Sequence, residues 1–137
     1  MRSYFAAIAL LATACDPNRT PTEQSPACSQ MTHVKRQLRG AWIATVTNID
    51  WPSRPGLPQD QQRAEFQQLA DEAQRMHLNA LYVQIRPTAD AFYPSQFEPW
   101  SQYLTGMQGV DPGYDPLAFM ISEAHARNLE LHAWFNP

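Results

Sequence analysis

The 137-residue chain is 44% hydrophobic and 17% charged, which is ordinary for a single soluble globular domain. Its formal net charge of -3 and its lack of a lysine- or arginine-rich run exclude the electrostatic footprint of a nucleic-acid-binding protein. The 12 prolines and the aromatic residues concentrate between the predicted strands and helices, which indicates stiff, aromatic-lined loops.

Residues 1–15 have the pattern of a signal peptide. Arg2 precedes an apolar run, Tyr4 to Leu11, that is shorter than the roughly 20 residues needed to span a bilayer. The following Ala-Thr-Ala-Cys resembles a bacterial lipobox, in which the cysteine carries the lipid. Cys15 is therefore the expected lipidation site, and ordinary secretion with an unmodified Cys15 is the alternative.

Residues 16–37 form the expected tether, because Pro, Thr, Ser and Gln dominate the stretch from Asp16 to Gln30. Cys28 lies in this tether. It either pairs with Cys15 in an oxidising compartment or remains a free thiol if Cys15 is acylated. Neither cysteine belongs to a metal or redox motif, so no metal and no cofactor is expected.

The first predicted strand runs from Arg39 to Thr47, where β-forming residues are mostly apolar on both faces, as in a parallel strand covered on both sides. The next residues form a loop at its carboxyl end, because three prolines and a glycine interrupt them. A helix is predicted from Gln61 to Met76, with Asp60 as its N-cap and His77 as a left-handed cap at its end.

The second predicted strand, Ala80 to Ile85, is apolar and then changes abruptly into a polar and aromatic loop. This change is typical of a barrel strand that reaches the active face. This loop on the expected active face contains Arg86, Asp90, Tyr93, Glu98 and Trp100.

The second long helix is predicted to start at Pro116, with Asp115 as its N-cap. Asn128 is the predicted left-handed cap, and Glu130 to Phe135 is the third strand. The predicted buried stripe of this helix consists of Leu117, Met120, Ile121 and Ala124. An ion pair between Glu123 and Arg127 is expected on its surface.

The order strand, helix, strand, helix, strand fits either a doubly wound sheet or a (β/α)8 barrel. A nucleotide-binding sheet would have glycines after its first strand, where backbone N–H groups bind phosphate. Here that loop has Asn48, Asp50, Trp51 and prolines, which suit a sugar better. The barrel is therefore favoured.

Four long strings carry a resemblance to a known family: RGAWIATVTNIDWPS, NALYVQIRPTADAFYPS, EPWSQYLTGMQG and DPGYDPLAFMISEAHARNLELHAWFNP. Together they resemble the glycosyl-hydrolase-family-10-like domain of bacterial TIM-barrel glycosidases, several of which are lipoproteins. The resemblance covers residues 38–137 and implies an α/β fold, the N-terminal βαβαβ part of a barrel that needs about 250 residues. His77 and Asn128 stand where the family usually has glycine.

The resemblance implies a glycoside hydrolase that acts on a bacterial glycan, with the catalytic carboxylates expected beyond Pro137 and the fragment alone inactive. Lipidation at Cys15 would anchor it in the cell envelope, where peptidoglycan glycan strands are the expected substrate. The alternative is a non-catalytic glycan-binding lipoprotein. A third alternative, a metal-dependent amidohydrolase or deacetylase, would require His-rich strand ends farther along the chain. The present residues disfavour it, and no HxH pair is present among them.

Asp90 is a weak candidate for the catalytic carboxylate, and Arg86 either grips a substrate or forms a salt bridge with Asp90. Trp42 is expected in the core. His132 shares a face with Trp134 and is either directed into the barrel or a core histidine. The candidate substrate-binding residues are polar or aromatic and lie near or after the ends of predicted strands: Asp50, Trp51, Arg86, Asp90, Tyr93, Trp100, Trp134 and Asn136.

Overall fold

The computed structural model describes residues 37–137, and residues 38–137 form one unit. The three strands and three α-helices follow one another as β1 (Gly40–Ile43), α1 (Gln59–Arg75), β2 (Ala80–Arg86), α2 (Gln102–Thr105), α3 (Pro116–Ala126) and β3 (Glu130–Phe135). A short 3-10 helix, Val46–Asn48, lies between β1 and α1. The predicted alternation is confirmed, with α2 as an addition inside the loop after β2.

The strands form one parallel sheet in the order β1-β2-β3, with β2 in the centre. Trp42, Tyr82 and His132 are register partners across it. All three carboxyl ends therefore lie at one edge of the sheet, where ligands bind in parallel α/β proteins. The chain is thus a small α/β unit compatible with part of a TIM barrel.

β1 ends four residues earlier than predicted, at Ile43. The carboxylate of Asp50 accepts a hydrogen bond from the Ala44 N–H at 2.7 Å. The Gln84 side-chain oxygen accepts from the N–H groups of Thr45 and Val46 at 3.0 and 2.9 Å. Side chains have therefore replaced the backbone partners that a longer strand would need.

The two long helices begin in different ways. Asp115 is the N-cap of α3, as predicted, and its carboxylate accepts from the Ala118 N–H at 3.0 Å, with Pro116 at the first helical position. The predicted helix α1 is present, but its predicted N-cap, Asp60, was wrong. Its N-cap is Pro58, which makes no side-chain cap bond, and Asp60 lies inside the first turn.

The predicted left-handed residues after both helices are confirmed. His77 has a φ of 56° and Asn128 a φ of 58°, conformations that normally favour glycine. The expected surface pair is also present, with the Arg127 guanidinium 2.7 Å from the Glu123 carboxylate. Arg127 additionally contacts Asp71 of α1 at 2.6 Å, which links the two long helices.

The hydrophobic core lies between one face of the sheet and the long helices. Phe66 and Ala70 of α1 and Met120 and Ala124 of α3 are fully buried. They pack against the odd-numbered side chains of β2, which point to this face: Leu81, Val83 and Ile85. Ile121, predicted in the buried stripe, is about one-third exposed.

The opposite face of the sheet carries an aromatic layer. Trp42 stacks on Tyr82 with ring centroids 4.7 Å apart, and Tyr82 stacks on His132 at 4.8 Å. Trp42 is 63% exposed, so its expected place in the core was wrong for the described residues. His132 is also exposed and lies 3.0 Å from the Glu130 carboxylate, so it is not a core histidine here.

Residues 37–137 lack two features. None of the helices in this range has the length and apolar character that crossing a membrane requires. Within the same range, no three His, Cys, Asp or Glu side chains are grouped closely enough to hold a metal ion.

Candidate functional site

The candidate site lies where β2 and β3 end. Arg86 is the last residue of β2, and Asn136 directly follows β3. Their backbones are joined, because the Asn136 N–H donates to the Arg86 carbonyl at 2.9 Å. The two side chains that sequence analysis assigned to neighbouring strand ends are therefore brought together by the sheet itself.

Four residues form what we call the Arg86 cluster: Arg86, Tyr93 and Glu98 through their side chains and Asn136 through its backbone carbonyl. The Arg86 Nε donates to one oxygen of Glu98, and its Nη1 donates to the Asn136 carbonyl. The Tyr93 hydroxyl donates to the other Glu98 oxygen at 2.8 Å. The side chains of Arg86 and Glu98 are 22% and 18% exposed, so the pair is accessible to a ligand without being fully solvated.

Asn136 holds the neighbouring tryptophan in place. Its Oδ1 accepts from the Trp134 indole N–H at 2.9 Å, while its Nδ2 donates to the Pro87 carbonyl at 2.9 Å. The partly buried Trp134 also has Trp42 edge-on to its ring at 5.2 Å. The indole is thus fixed beside the Arg86 cluster, as an aromatic platform for a sugar ring requires.

Hydrogen bonding sets the charge state of Glu98. The bonds from Arg86 and then Tyr93 favour the ionised carboxylate and lower the pKa of Glu98. Burial, together with the hydrogen bond to Glu98, raises the pKa of Tyr93. Glu98 is therefore an anion and Tyr93 a protonated donor at neutral pH, and Glu98 is a poor general acid because it is ionised and already paired.

Asp90 lies outside this cluster. Its Oδ1 accepts from the Thr88 N–H at 3.0 Å and the Thr88 hydroxyl at 3.1 Å, a local turn two residues long. Arg86 pairs with Glu98 instead, so the expected Arg86–Asp90 pair was wrong. Asp90 is 0% exposed, and its second oxygen has no hydrogen-bond partner. In this structure the carboxylate has no open path to a substrate.

Trp51 is a core residue and not a sugar platform. It is 0% exposed, its indole N–H donates to the Gln62 carbonyl at 2.8 Å, and its ring contacts Phe66 at 5.6 Å. Asp50 remains exposed at the carboxyl end of β1, but its carboxylate closes the Ala44 turn. The sheet therefore does not gather Asp50 and Trp51 into the Arg86 cluster.

Trp100 lines a separate cleft of about 600 Å3, built by the loop after β2 and the segment before α3. A parallel bridge to Ala91 and a hydrogen bond from the Gly109 N–H at 2.8 Å fix the Trp100 backbone. Of the eight predicted binding residues, four lie at the ends of β2 and β3, namely Arg86, Tyr93, Trp134 and Asn136, and four lie elsewhere.

The contacts of two side chains near the strand ends were not predicted from the sequence. Glu98 was recognised as a carboxylate on the active face, but not as the partner of Arg86. Gln84 was not singled out, although it is buried and binds the turn after β1 through its side-chain oxygen. Its position within the apolar run of β2 was the available signal, because a buried amide requires hydrogen-bond partners.

The family model described as glycosyl hydrolase-like 10 matches residues 37–137. Glycosyl hydrolase YngK of Bacillus subtilis (strain 168) is 66% identical over 102 residues, which is 74% of this chain and 20% of that protein. Glycosyl hydrolase DigH of Escherichia coli (strain K12) is 40% identical over 151 aligned positions, 98% of this chain and 34% of that protein. The chain therefore spans 20% of one relative's length and 34% of the other's.

Proposed function

The chain belongs to the glycosyl hydrolase-like 10 family, and from this membership we propose that the full-length protein hydrolyses the glycosidic bonds of a bacterial glycan. The observation that carries the proposal is the Arg86 cluster beside the fixed Trp134 indole, at the carboxyl ends of two parallel strands. Hydrogen-bonding groups next to an aromatic plane are what a pyranose ring needs, because it has hydroxyl edges and a C–H face.

In this proposal, β1, β2 and β3 are the first strands of a (β/α)8 barrel. Two observations on residues 37–137 support it: the long helices pack on one face of the sheet, and an aromatic layer occupies the other. In a barrel of about 250 residues, inward-facing side chains of all strands fill the interior. Further strands of the longer protein would thus cover Trp42, Tyr82 and His132.

The catalytic carboxylates come from other strands of the longer protein. Glycosidases need two carboxyl groups, about 5 Å apart for retention or roughly 6.5–9.5 Å apart for inversion. The three acidic residues at the strand ends have other tasks, since Glu98 is held by Arg86, Asp50 closes a turn and Asp90 is buried. In this proposal, residues 37–137 alone have no hydrolytic activity.

The hydrolase is held at the cell envelope as a lipoprotein, with Cys15 as the acylated residue and residues 16–37 as the tether. These residues lie outside the part described structurally. Anchoring beside the cell wall makes peptidoglycan glycan strands the proposed substrate. A Cys15→Ser variant should leave the membrane fraction of the producing cells, and a variant that stays there would exclude lipid anchoring through this residue.

The activity is tested by incubating the full-length protein with purified peptidoglycan glycan strands from which the peptides have been removed. The proposal predicts new reducing ends that accumulate with time. An Arg86→Ala variant should produce them far more slowly. A protein that binds the strands but releases no reducing ends would contradict hydrolysis.

A second candidate function is non-catalytic glycan binding by an envelope lipoprotein. One observation favours it, namely that none of the three strand-end carboxylates described above is free to act as acid or base. The two functions differ in the same assay, because a binding protein retains glycan strands at their original length. The residues at the ends of the remaining barrel strands decide the matter at the sequence level.

A further inference from the structure

We infer that the cleft lined by Trp100 is a second sugar subsite, which binds an uncharged pyranose unit of the glycan away from the Arg86 cluster. This inference rests on the proposed function, since it names the place where a longer glycan makes an additional contact. The cleft measures about 600 Å3 and is lined by Pro94, Ser95, Gln96, Trp100, Asp111, Gly113 and Tyr114. Ligand pockets typically measure about 300–1,000 Å3, so one or two sugar rings fit.

The aromatic side of the cleft is rigid. Trp100 is half-buried against the core, and its backbone is fixed by pairing of this segment with Ala91 and by the Gly109 N–H. A side chain of this kind loses little conformational freedom when a ligand stacks on it. The exposed part of the indole therefore offers a preformed surface for the C–H face of a pyranose.

Tyr114 contributes its ring and not its hydroxyl. The hydroxyl donates to the Gln62 side-chain oxygen at 2.8 Å, and burial raises the pKa of Tyr114, so the phenol stays neutral. The Arg63 guanidinium lies 4.6 Å from the ring centroid and from that of Phe119. This cation is thus engaged with aromatic rings, and it is not among the residues that line the cleft.

The polar side of the cleft selects for uncharged hydroxyl-bearing ligands. Its seven lining residues include one carboxylate, Asp111, and no Lys, Arg or His. A phosphate or carboxylate ligand would be repelled there, whereas the hydroxyls of a neutral sugar can donate to Asp111 and exchange hydrogen bonds with Gln96. The cleft therefore suits a neutral sugar unit better than an anionic one.

One turn of the chain connects the cleft with the Arg86 cluster. Ser95 lines the cleft, and its hydroxyl accepts hydrogen bonds from the N–H groups of Phe97 and Glu98, both at 3.1 Å. Glu98 in turn holds Arg86, and Tyr93 immediately precedes Pro94 of the cleft wall. Since this turn contributes to both sites, a single glycan chain can reach from one to the other.

The test is calorimetric titration of the full-length protein with the neutral β-1,4-linked hexamer of N-acetylglucosamine, followed by chromatography to verify that the hexamer is intact. Trp100→Ala should weaken binding about tenfold, the scale of one lost aromatic contact. Gln96→Ala should weaken it severalfold without affecting folding, because Gln96 is exposed. Gln108→Ala is the matched control, an exposed glutamine outside the cleft, and should bind as the wild type does.

Asp111→Asn refines the test. The amide oxygen of the introduced asparagine can still accept the hydrogen bond that the Gly113 N–H donates to Asp111 Oδ1 at 2.7 Å, while the negative charge is removed. This variant should bind the hexamer more weakly and discriminate less against carboxylated oligosaccharides. Wild-type affinity in both Gln96→Ala and Asp111→Asn would overturn the inference even if Trp100→Ala fails to fold, as would a wild type that does not bind the hexamer.

Reducing-end release from peptide-free glycan strands, measured on the same protein samples, separates this inference from the proposed hydrolysis. Weakened hexamer binding in the variants, without any release of reducing ends by the wild type, would support the subsite and contradict the proposed hydrolysis. Release by the wild type with unchanged hexamer binding in all variants would contradict the subsite and support hydrolysis.

Discussion

Arg86 determines what the neighbouring side chains can do. Its guanidinium binds Glu98 and the Asn136 carbonyl at once, so the positive charge is matched by one carboxylate. Tyr93 and Asn136 then add neutral hydrogen-bonding groups. A ligand consequently meets a cluster with no net charge, which suits the hydroxyl groups of a sugar better than a free anion.

The lowered pKa of Glu98 predicts how stability depends on pH. A carboxyl group whose pKa is lower in the folded state stabilises the protein above its unfolded-state pKa, near the ordinary value of 4.5, and loses that contribution as the pH falls through the folded-state pKa. The stability difference between wild type and Glu98→Gln, measured by urea unfolding, should be constant above about pH 5 and shrink below the ordinary value.

The control for this measurement is Glu72→Gln, because Glu72 pairs with Arg75 on the surface of α1, where an ion pair contributes little. Its difference from wild type should be small and nearly independent of pH. A Glu98→Gln difference that does not change between pH 6 and pH 3 would contradict the Arg86–Glu98–Tyr93 arrangement.

Trp51→Phe tests whether this tryptophan serves the core or the ligand. The substitution removes the hydrogen bond to the buried Gln62 carbonyl, so unfolding should become easier by about 1–3 kcal/mol. Glycan affinity should remain unchanged. Trp134→Phe is the counterpart, and there glycan binding should weaken. A Trp51→Phe variant of normal stability and reduced glycan affinity would restore Trp51 as a sugar platform.

The residue-scale errors of sequence analysis have physical causes. Asp90 is the nearer acid to Arg86 along the chain, but a two-residue turn with Thr88 satisfies one of its oxygens locally. Glu98 is farther along and reaches Arg86 only because the loop folds back through the bridge of Ala91 to Trp100. Spacing along a loop carries no signal for such a return, whereas the ends of regular strands do.

Among the elements, the two long helices differ in what holds their first turn. Asp115→Ala should cost about 1 kcal/mol, the usual value of a lost N-cap, because the Ala118 N–H loses its acceptor. Asp60→Ala should cost a few tenths, because Asp60 acts only through the helix dipole. Urea unfolding of both variants measures the difference, and equal losses would show that Asp115 is not a stabilising cap.

Element order was predictable where local periodicity controls structure. The apolar spacing of α1 and α3, the run of β2, and the left-handed residues His77 and Asn128 all follow from neighbouring residues. The end of β1 was not predictable, because Gln84 and Asp50 take over its backbone hydrogen bonds. The acceptor Gln84 lies 39 residues from its donor Thr45, and the acceptor Asp50 lies 6 residues from its donor Ala44, which no local rule for strand length includes.

At the scale of the whole molecule, the sheet has one face covered by helices and one face bearing aromatic rings. Trp42 and Tyr82 stack on the open face. Trp134 contacts Trp42 on one side and donates a hydrogen bond to Asn136 of the Arg86 cluster on the other. The strand register aligns Trp42, Tyr82 and His132 on this face, which in the proposed barrel would point into the interior. The proposed barrel thus joins the aromatic layer and the strand-end site in one interior.

Trp42→Glu tests this account of the open face in the full-length protein. A closed barrel would bury the introduced carboxylate, so unfolding should become easier by about 3 kcal/mol or more, or soluble protein should be lost. Trp42→Phe is the control and should be tolerated, because an aromatic ring still stacks on Tyr82. Normal stability of Trp42→Glu would mean that the face is open in the whole protein.

The most direct measurement of the central claim is a crystal structure of the full-length protein with a bound glycan oligomer. The account predicts a sugar ring against the Trp134 indole, with its hydroxyls in hydrogen-bonding distance of Arg86 or Asn136, and catalytic carboxylates from other strands on either side of a glycosidic bond. An oligomer bound at the opposite ends of the strands, with the Arg86 cluster buried under protein, would contradict it.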